Sequence, residues 1–104
     1  MHKSHAAQGF SAMGSEARLD VLRCLVRAGR PGLTVGDIQS RTGIAASTLA
    51  HHLRQMADAG LISQEKSGRS VITRARFDHL EMLARYILVE CCADQSNEED
   101  RHHG

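Results

Sequence analysis

A chain of 104 residues, 41% hydrophobic and 24% charged with a net charge of +1, has room for one packed core and not for two. Aromatics make up 3%, so that core must be aliphatic, and so small a core gains from burial against a second copy. No stretch approaches a membrane span or the apolar run of a secretion signal, and three cysteines, an odd number, do not make a disulfide framework; the expected location is the cytoplasm, with no membrane partner.

Residues 1–8 are polar, with His2 and His5, and are expected to fray as a flexible N-terminus. A helix is expected over about 9–14 and a second from Ser15 to Ala28, where Leu19, Leu22, Leu25 and Val26 fall on one side at about 100° per residue. Gly29 ends that helix, and Arg30-Pro31-Gly32 forms a turn. Thr34-x-x-Asp37 is a capping signature for a third helix over 35–42, with Val35 and Ile38 inward. Thr42-Gly43 stops it, and the short turn Gly43-Ile44-Ala45 leads into a fourth helix over 46–58, closed by Gly60. Two short helices joined by so tight a turn make a helix-turn-helix.

Leu61 to Arg76, with apolar Leu61, Val71 and Ile72 and a turn at Ser67-Gly68-Arg69, predicts a β-hairpin, or wing. A last helix is expected over 77–92, followed by a disordered acidic tail over 93–104. The fold class is therefore mainly α with a small β-hairpin: a winged helix-turn-helix over 9–92.

The helix over 46–58 has two faces. Leu49, Leu53 and Met56 cluster within about 60° and face the core. Ser47, His51 and Arg54 fall on the opposite side, with Thr48 and His52 flanking and Asp58 at the far end. A hydroxyl, an imidazole and a guanidinium all donate to phosphates or to base edges in a DNA groove. Lys66, Arg69 and Ser70 sit at the wing tip, suited to the sugar-phosphate backbone. Charge supports this reading: residues 41–76 carry a net +4, against −5 over 77–104, so a polyanion would meet the middle of the chain. A solvated helix face would explain the polar stripe alone; the combination with the turn and the basic hairpin favours double-stranded DNA.

These stretches resemble the ArsR/SmtB family of metal-sensing winged-helix repressors. The resemblance covers about residues 9–92 and rests on SEARLDVLRCLV, on LTVGDIQSRTGIAASTLAHHLRQMADAGLI and on EKSGRSVITRARF; the run from Ser47 to Leu53 is its most specific stretch. It implies a homodimer joined through the first and last helices that binds a palindromic operator and is released by an inducer. The last helix agrees: Leu80, Ala84, Ile87 and Cys91 share one stripe, and Met82, Tyr86 and Val89 form a second, so two partners are needed.

The family's metal sites are only partly matched. Thr34 and Gly36 stand where a Cys-x-Cys-Asp box would place its cysteines before Asp37. Of the family's zinc site in the last helix, Asp78 is kept, but Leu80, Cys91 and Asp94 replace the other ligands, so no zinc site of that type is expected. Cys91-Cys92 instead resembles the arsenic-responsive members. Adjacent thiols suit trivalent arsenic or antimony, which favours three thiolates. The tail adds no cysteine; Cys24 is the remaining candidate, and a small core filler is the other reading of it.

His2, His5, His102 and His103 read as incidental. The expectation is a repressor released by trivalent arsenic or antimony at Cys91 and Cys92. Two rivals stand beside it: the same repressor with that pair as a redox or reactive-sulfur switch, and a winged-helix module for protein contacts without DNA. Against the redox rival, adjacent residues of a regular helix point about 100° apart, which strains a vicinal disulfide. An enzyme is excluded by the lack of a Ser-His-Asp, paired-carboxylate or phosphate-loop constellation.

Overall fold

A computed structural model describes residues 1–95. Its elements run α1 (Lys3–Met13), α2 (Glu16–Ala28), β1 (Leu33–Thr34), α3 (Val35–Thr42), α4 (Ala46–Asp58), β2 (Ile62–Ser67), β3 (Ser70–Ala75) and α5 (Phe77–Leu88). The strands form one antiparallel sheet in the order β1-β3-β2. Ile62 pairs with Ala75 at the base of the hairpin and Ser67 with Ser70 at its tip, while Leu33 and Thr34 pair with Thr73 and Ile72. Five helices and this small sheet make a winged helix-turn-helix. No helix of the described residues is long and apolar enough to cross a membrane.

The core is aliphatic. Val21, Leu25, Ile38, Leu49, Met56 and Leu61 are fully buried, joined by Leu22, Leu33, Leu53, Ile62, Ala75 and Leu83. Burying each of the Val, Leu, Ile and Met side chains among them contributes about 1.5–3 kcal/mol relative to leaving it in water. Thr73 is the buried polar residue among the described ones, and its hydroxyl accepts from Gln64 Nε2 at 3.3 Å. Gly32 lets the turn before β1 press onto the sheet: its φ is 71°, and a Cβ there would lie 2.6 Å from the carbonyl oxygen of Thr73.

Several expectations need correction. Helix α1 begins at Lys3 rather than near residue 9, so most of the segment expected to fray is helical, with Ala6 and Gly9 buried. Small residues are what this helix buries; a Cβ on Gly9 would come within 2.9 Å of Leu83 Cδ1 on α5. In α2 the buried residues are Val21, Leu22 and Leu25, whereas Leu19 and Val26, placed inward from the sequence, are each 42% exposed. Helix α2 is overlaid by α1, α3 and β3, and that packing turns Val21 to the centre.

Helix α5 ends at Leu88, four residues short of the expected end. Beyond it the chain continues in short turns, with the Cys91 N–H donating to the Leu88 carbonyl, that of Ala93 to Glu90 and that of Gln95 to Cys92. Its anchor is Leu83, buried to 1% and absent from both expected stripes. Leu80 and Tyr86 are half-buried against the core, while Met82, Ile87, Leu88 and Val89 stay exposed. Of the tail expected to be disordered over 93–104, residues 93–95 are described in these turns; the rest, with His102 and His103, lies outside the described residues.

Candidate nucleic-acid interface

The helix-turn-helix is held by local bonds that the sequence encodes. At the start of α3 the Thr34 hydroxyl accepts from the Asp37 N–H at 3.1 Å, and the Asp37 carboxylate accepts from the Thr34 N–H at 3.2 Å, a complete capping box. The same Thr34 N–H, with its hydroxyl, holds the Asp37 carboxyl below its usual value. At the other end Gly43 takes the left-handed conformation, with φ 73°, and its N–H donates to the Gln39 carbonyl at 2.8 Å. The Thr42 hydroxyl donates to the Ile38 carbonyl at 2.7 Å, and half-buried Ile44 packs against the core. The turn is thereby fixed from both sides, which sets the direction of α4.

On α4, Leu49, Leu53 and Met56 are buried, as expected. Ser47, Thr48, His51 and Arg54 are exposed together on the far face. His52, expected at the flank of this face, is half-buried, with its Nδ1 shielded from solvent and without a partner among the described residues. Ala45 gives the helix no side-chain cap, so the first N–H groups of α4 remain open, as a helix that meets a phosphate needs. Arg18 braces the helix from behind: its Nε donates to the Ala12 carbonyl at 2.6 Å and its Nη1 to Gln55 Oε1 at 3.0 Å. That link to the α1–α2 corner was not expected, because a single long-range pair leaves no periodic trace in a sequence.

The wing presents Lys66, Arg69 and Ser70, all exposed. Its strands are braced lower down by Arg74, which pairs with Glu65 at 3.0 Å across the hairpin and donates to the Arg30 carbonyl at 2.8 Å. Lys66, Arg69 and Arg54 have no ion-pair partner among the described residues. Cations left unpaired on the surface favour an anionic partner.

The cysteines lie apart from this face. Cys91 and Cys92 are exposed, with their sulfurs 3.5 Å apart. They sit beyond the end of α5, and Cys92 has a φ of 61°. The expectation that a regular helix would splay them by about 100° is therefore corrected. The hydrogen bond with Cys91, followed by its charge, pushes the Cys92 thiol above its ordinary range. Cys24 is half-buried, partly packed against the core, in a groove between α2 and α3. Among the described residues no three His, Cys, Asp or Glu side chains converge, so one chain does not bring Cys24 to the pair. Asp78 is engaged by the His79 N–H, which holds its carboxyl low, and then by Arg76 at 3.4 Å.

Fold and face together define a protein of the winged helix-turn-helix regulator class. A family model described as a helix-turn-helix domain matches residues 13–65. The HTH-type transcriptional regulator YgaV of Escherichia coli (strain K12) is 34% identical over 67 residues, 64% of this chain and 66% of that protein, just under two thirds of its length. The uncharacterized HTH-type transcriptional regulator YceK of Bacillus subtilis (strain 168) is 31% identical over 72 residues, 69% of this chain and 71% of its own. Among solved structures, an ArsR-like transcriptional regulator from Rhodococcus sp. RHA1 superposes with a TM-score of 0.72 at 27% identity, covering 95% of this chain and 86% of that one. The chain belongs to the helix-turn-helix family of transcriptional regulators, of the ArsR-like winged type.

Proposed function

We propose that this chain is a cytoplasmic, dimeric repressor that holds double-stranded operator DNA and lets it go when thiophilic chemistry occurs at Cys91 and Cys92. One observation carries the DNA reading: Ser47, Thr48, His51 and Arg54 stand exposed opposite a fully buried Leu49–Leu53–Met56 stripe. Ser47, His51 and Arg54 reach base edges, and Thr48 and His52 meet neighbouring phosphates from the flanks of that face. Lys66, Arg69 and Ser70 hold the backbone from the wing. The dimer is supported by Ile87, Leu88 and Val89, which are 63%, 62% and 76% exposed in a single chain and await a second copy. Two recognition helices then address half-sites about 34 Å apart.

The inducer reading rests on two exposed sulfurs 3.5 Å apart. Arsenite or antimonite exchanges hydroxyl groups for thiolates here, releasing one water for each bond to sulfur. A third thiolate has to come from outside this pair, with Cys24 across the dimer as the candidate. Each thiol proton leaves with a displaced hydroxyl as water, so the binding equilibrium changes little with pH below the thiol range. Cys92 holds its proton more tightly than usual, so the attacking thiolate is scarce and capture speeds up as pH rises. The captured ion shifts the packing of α5, and couplings of this kind amount to about 1–3 kcal/mol.

The same geometry favours a second reading. Two neighbouring thiols outside a helix also suit a switch in which peroxide takes two electrons from the pair, leaving a disulfide and water. Duplex binding measured with arsenite, antimonite, zinc, cadmium or peroxide tests both readings. Release is expected with arsenite and antimonite, and Cys91→Ser or Cys92→Ser should keep DNA binding and lose that release. Release by peroxide alone selects the switch, and unchanged release in both variants removes the cysteines from sensing. A wild type that binds partner proteins but no duplex removes the repressor.

A further inference from the structure

A groove of about 590 Å³ between α2 and α3 is lined by Arg23, Arg27 and Arg41, with Asp20 as its single acid and Cys24 and Thr42 alongside. None of the three guanidinium groups has an ion-pair partner among the described residues. Arg23 and Arg27 stand one turn apart on α2, a spacing at which like charges repel, and Arg41 adds a third from α3. A free protein gains nothing from such a convergence. A polyanion relieves it.

The position of the groove says which polyanion. Arg41 and Thr42 close α3 and lead directly into the turn at Gly43, Ile44 and Ala45. That turn opens on the uncapped N-terminus of α4. Arg41 thus stands in the chain between the arginines of α2 and the open N–H groups beside Ser47, separated from the latter only by the short turn. The groove is flanked by helix faces and carries no aromatic side chain, so it suits the repeated phosphates of a duplex strand and offers no stack for single-stranded bases.

We propose that Arg23, Arg27 and Arg41 form a second contact for the sugar-phosphate backbone, gripping the DNA beyond the base pairs that α4 reads. This rests on the DNA-binding reading above. These arginines add affinity and orientation and carry no sequence information. Cys24 at the edge of the groove is a neutral neighbour and takes no part.

The test compares wild type with R23Q/R27Q/R41Q on duplexes, one short and one extended at its flanks, over a series of salt concentrations. Each phosphate contact contributes about one to the slope of log affinity against log salt, so the triple variant should lose up to about three per protomer. Affinity should fall equally for operator and unrelated sequences, and the advantage of the extended duplex should vanish. The Lys counterparts, R23K/R27K/R41K, should retain the slope. Circular dichroism melting confirms that each variant folds, and the single Gln variants, each losing about one, stand in if the triple does not. An unchanged slope in a folded Gln variant while wild type binds duplex overturns this proposal and leaves the α4 face intact. Failure of wild type to bind any duplex overturns both.

Discussion

Helices α4 and α5 are nearly equal in length, at 13 and 12 residues, yet they are finished differently. Helix α4 buries one stripe completely and turns a polar face outward; every apolar residue that needs cover has it within the chain. Helix α5 buries Leu83 alone and leaves Met82, Ile87, Leu88 and Val89 in solvent, with two bare thiols just beyond. The α4 half covers its apolar side chains within one chain, whereas the α5 half leaves several of them uncovered. A regulator benefits from that division, because a rigid reader can be moved only by a part whose packing is not settled within the same core.

The largest expected effect strikes the point where the halves meet. Leu83→Ala removes the side chain that anchors α5 against Gly9 and the core, and should cost about 2–5 kcal/mol in urea unfolding. A cost below about 1 kcal/mol would mean that α5 is held mainly by contacts outside this chain. Ile87→Asp should do the opposite, leaving the monomer folded while abolishing the dimer in sedimentation. Duplex affinity should then drop by as much as about a hundredfold to ten-thousandfold as the second half-site is lost. Retained dimerisation would show that the exposed end of α5 is not the joint.

Arg54→Ala should weaken duplex binding by about 1–3 kcal/mol and relax the preference at one base position, with melting unchanged. An equal loss on every sequence would turn Arg54 from a reader into a phosphate contact. Smallest is the effect at the cap of α3. Thr34→Ala should cost about 1 kcal/mol in thermal melting.

The Asp37 carboxyl is held low in the folded state, so its contribution is present above the ordinary carboxylate range and is lost as pH falls through the lowered value. Asp37→Asn should therefore lower stability at neutral pH, leave it little changed in strong acid, and so flatten the acid limb of the stability curve. An acid limb identical to wild type would remove Asp37 from the pH response.

Local chemistry explains which parts were legible in the sequence. Helices α3 and α4 lie where Thr34, Asp37, Gly43 and Gly60 put them, because caps and left-handed glycines act within a few residues. The hairpin was legible from its turn, but the two-residue β1 was not, since only pairing with Thr73 and Ile72 makes it a strand. The start of α1 was hidden because Ala6 and Gly9 pack by being small and give no apolar rhythm. The end of α5 was hidden because no glycine or proline marks it. On the polar face Ser47, Thr48, His51 and Arg54 stand exposed as read from the angles, whereas the depth of His52 depends on neighbours that no helical wheel includes. The arginine groove joins residues from two helices and is invisible to any single one.

Selection of bound duplexes from a random-sequence pool tests most directly whether α4 is the reader. Wild type should enrich a palindrome whose half-sites repeat after about one helical turn, and Arg54→Ala should lose preference at matching positions in both halves. Enrichment of no sequence by wild type, or the same sequence with equal strength by both proteins, would contradict the account.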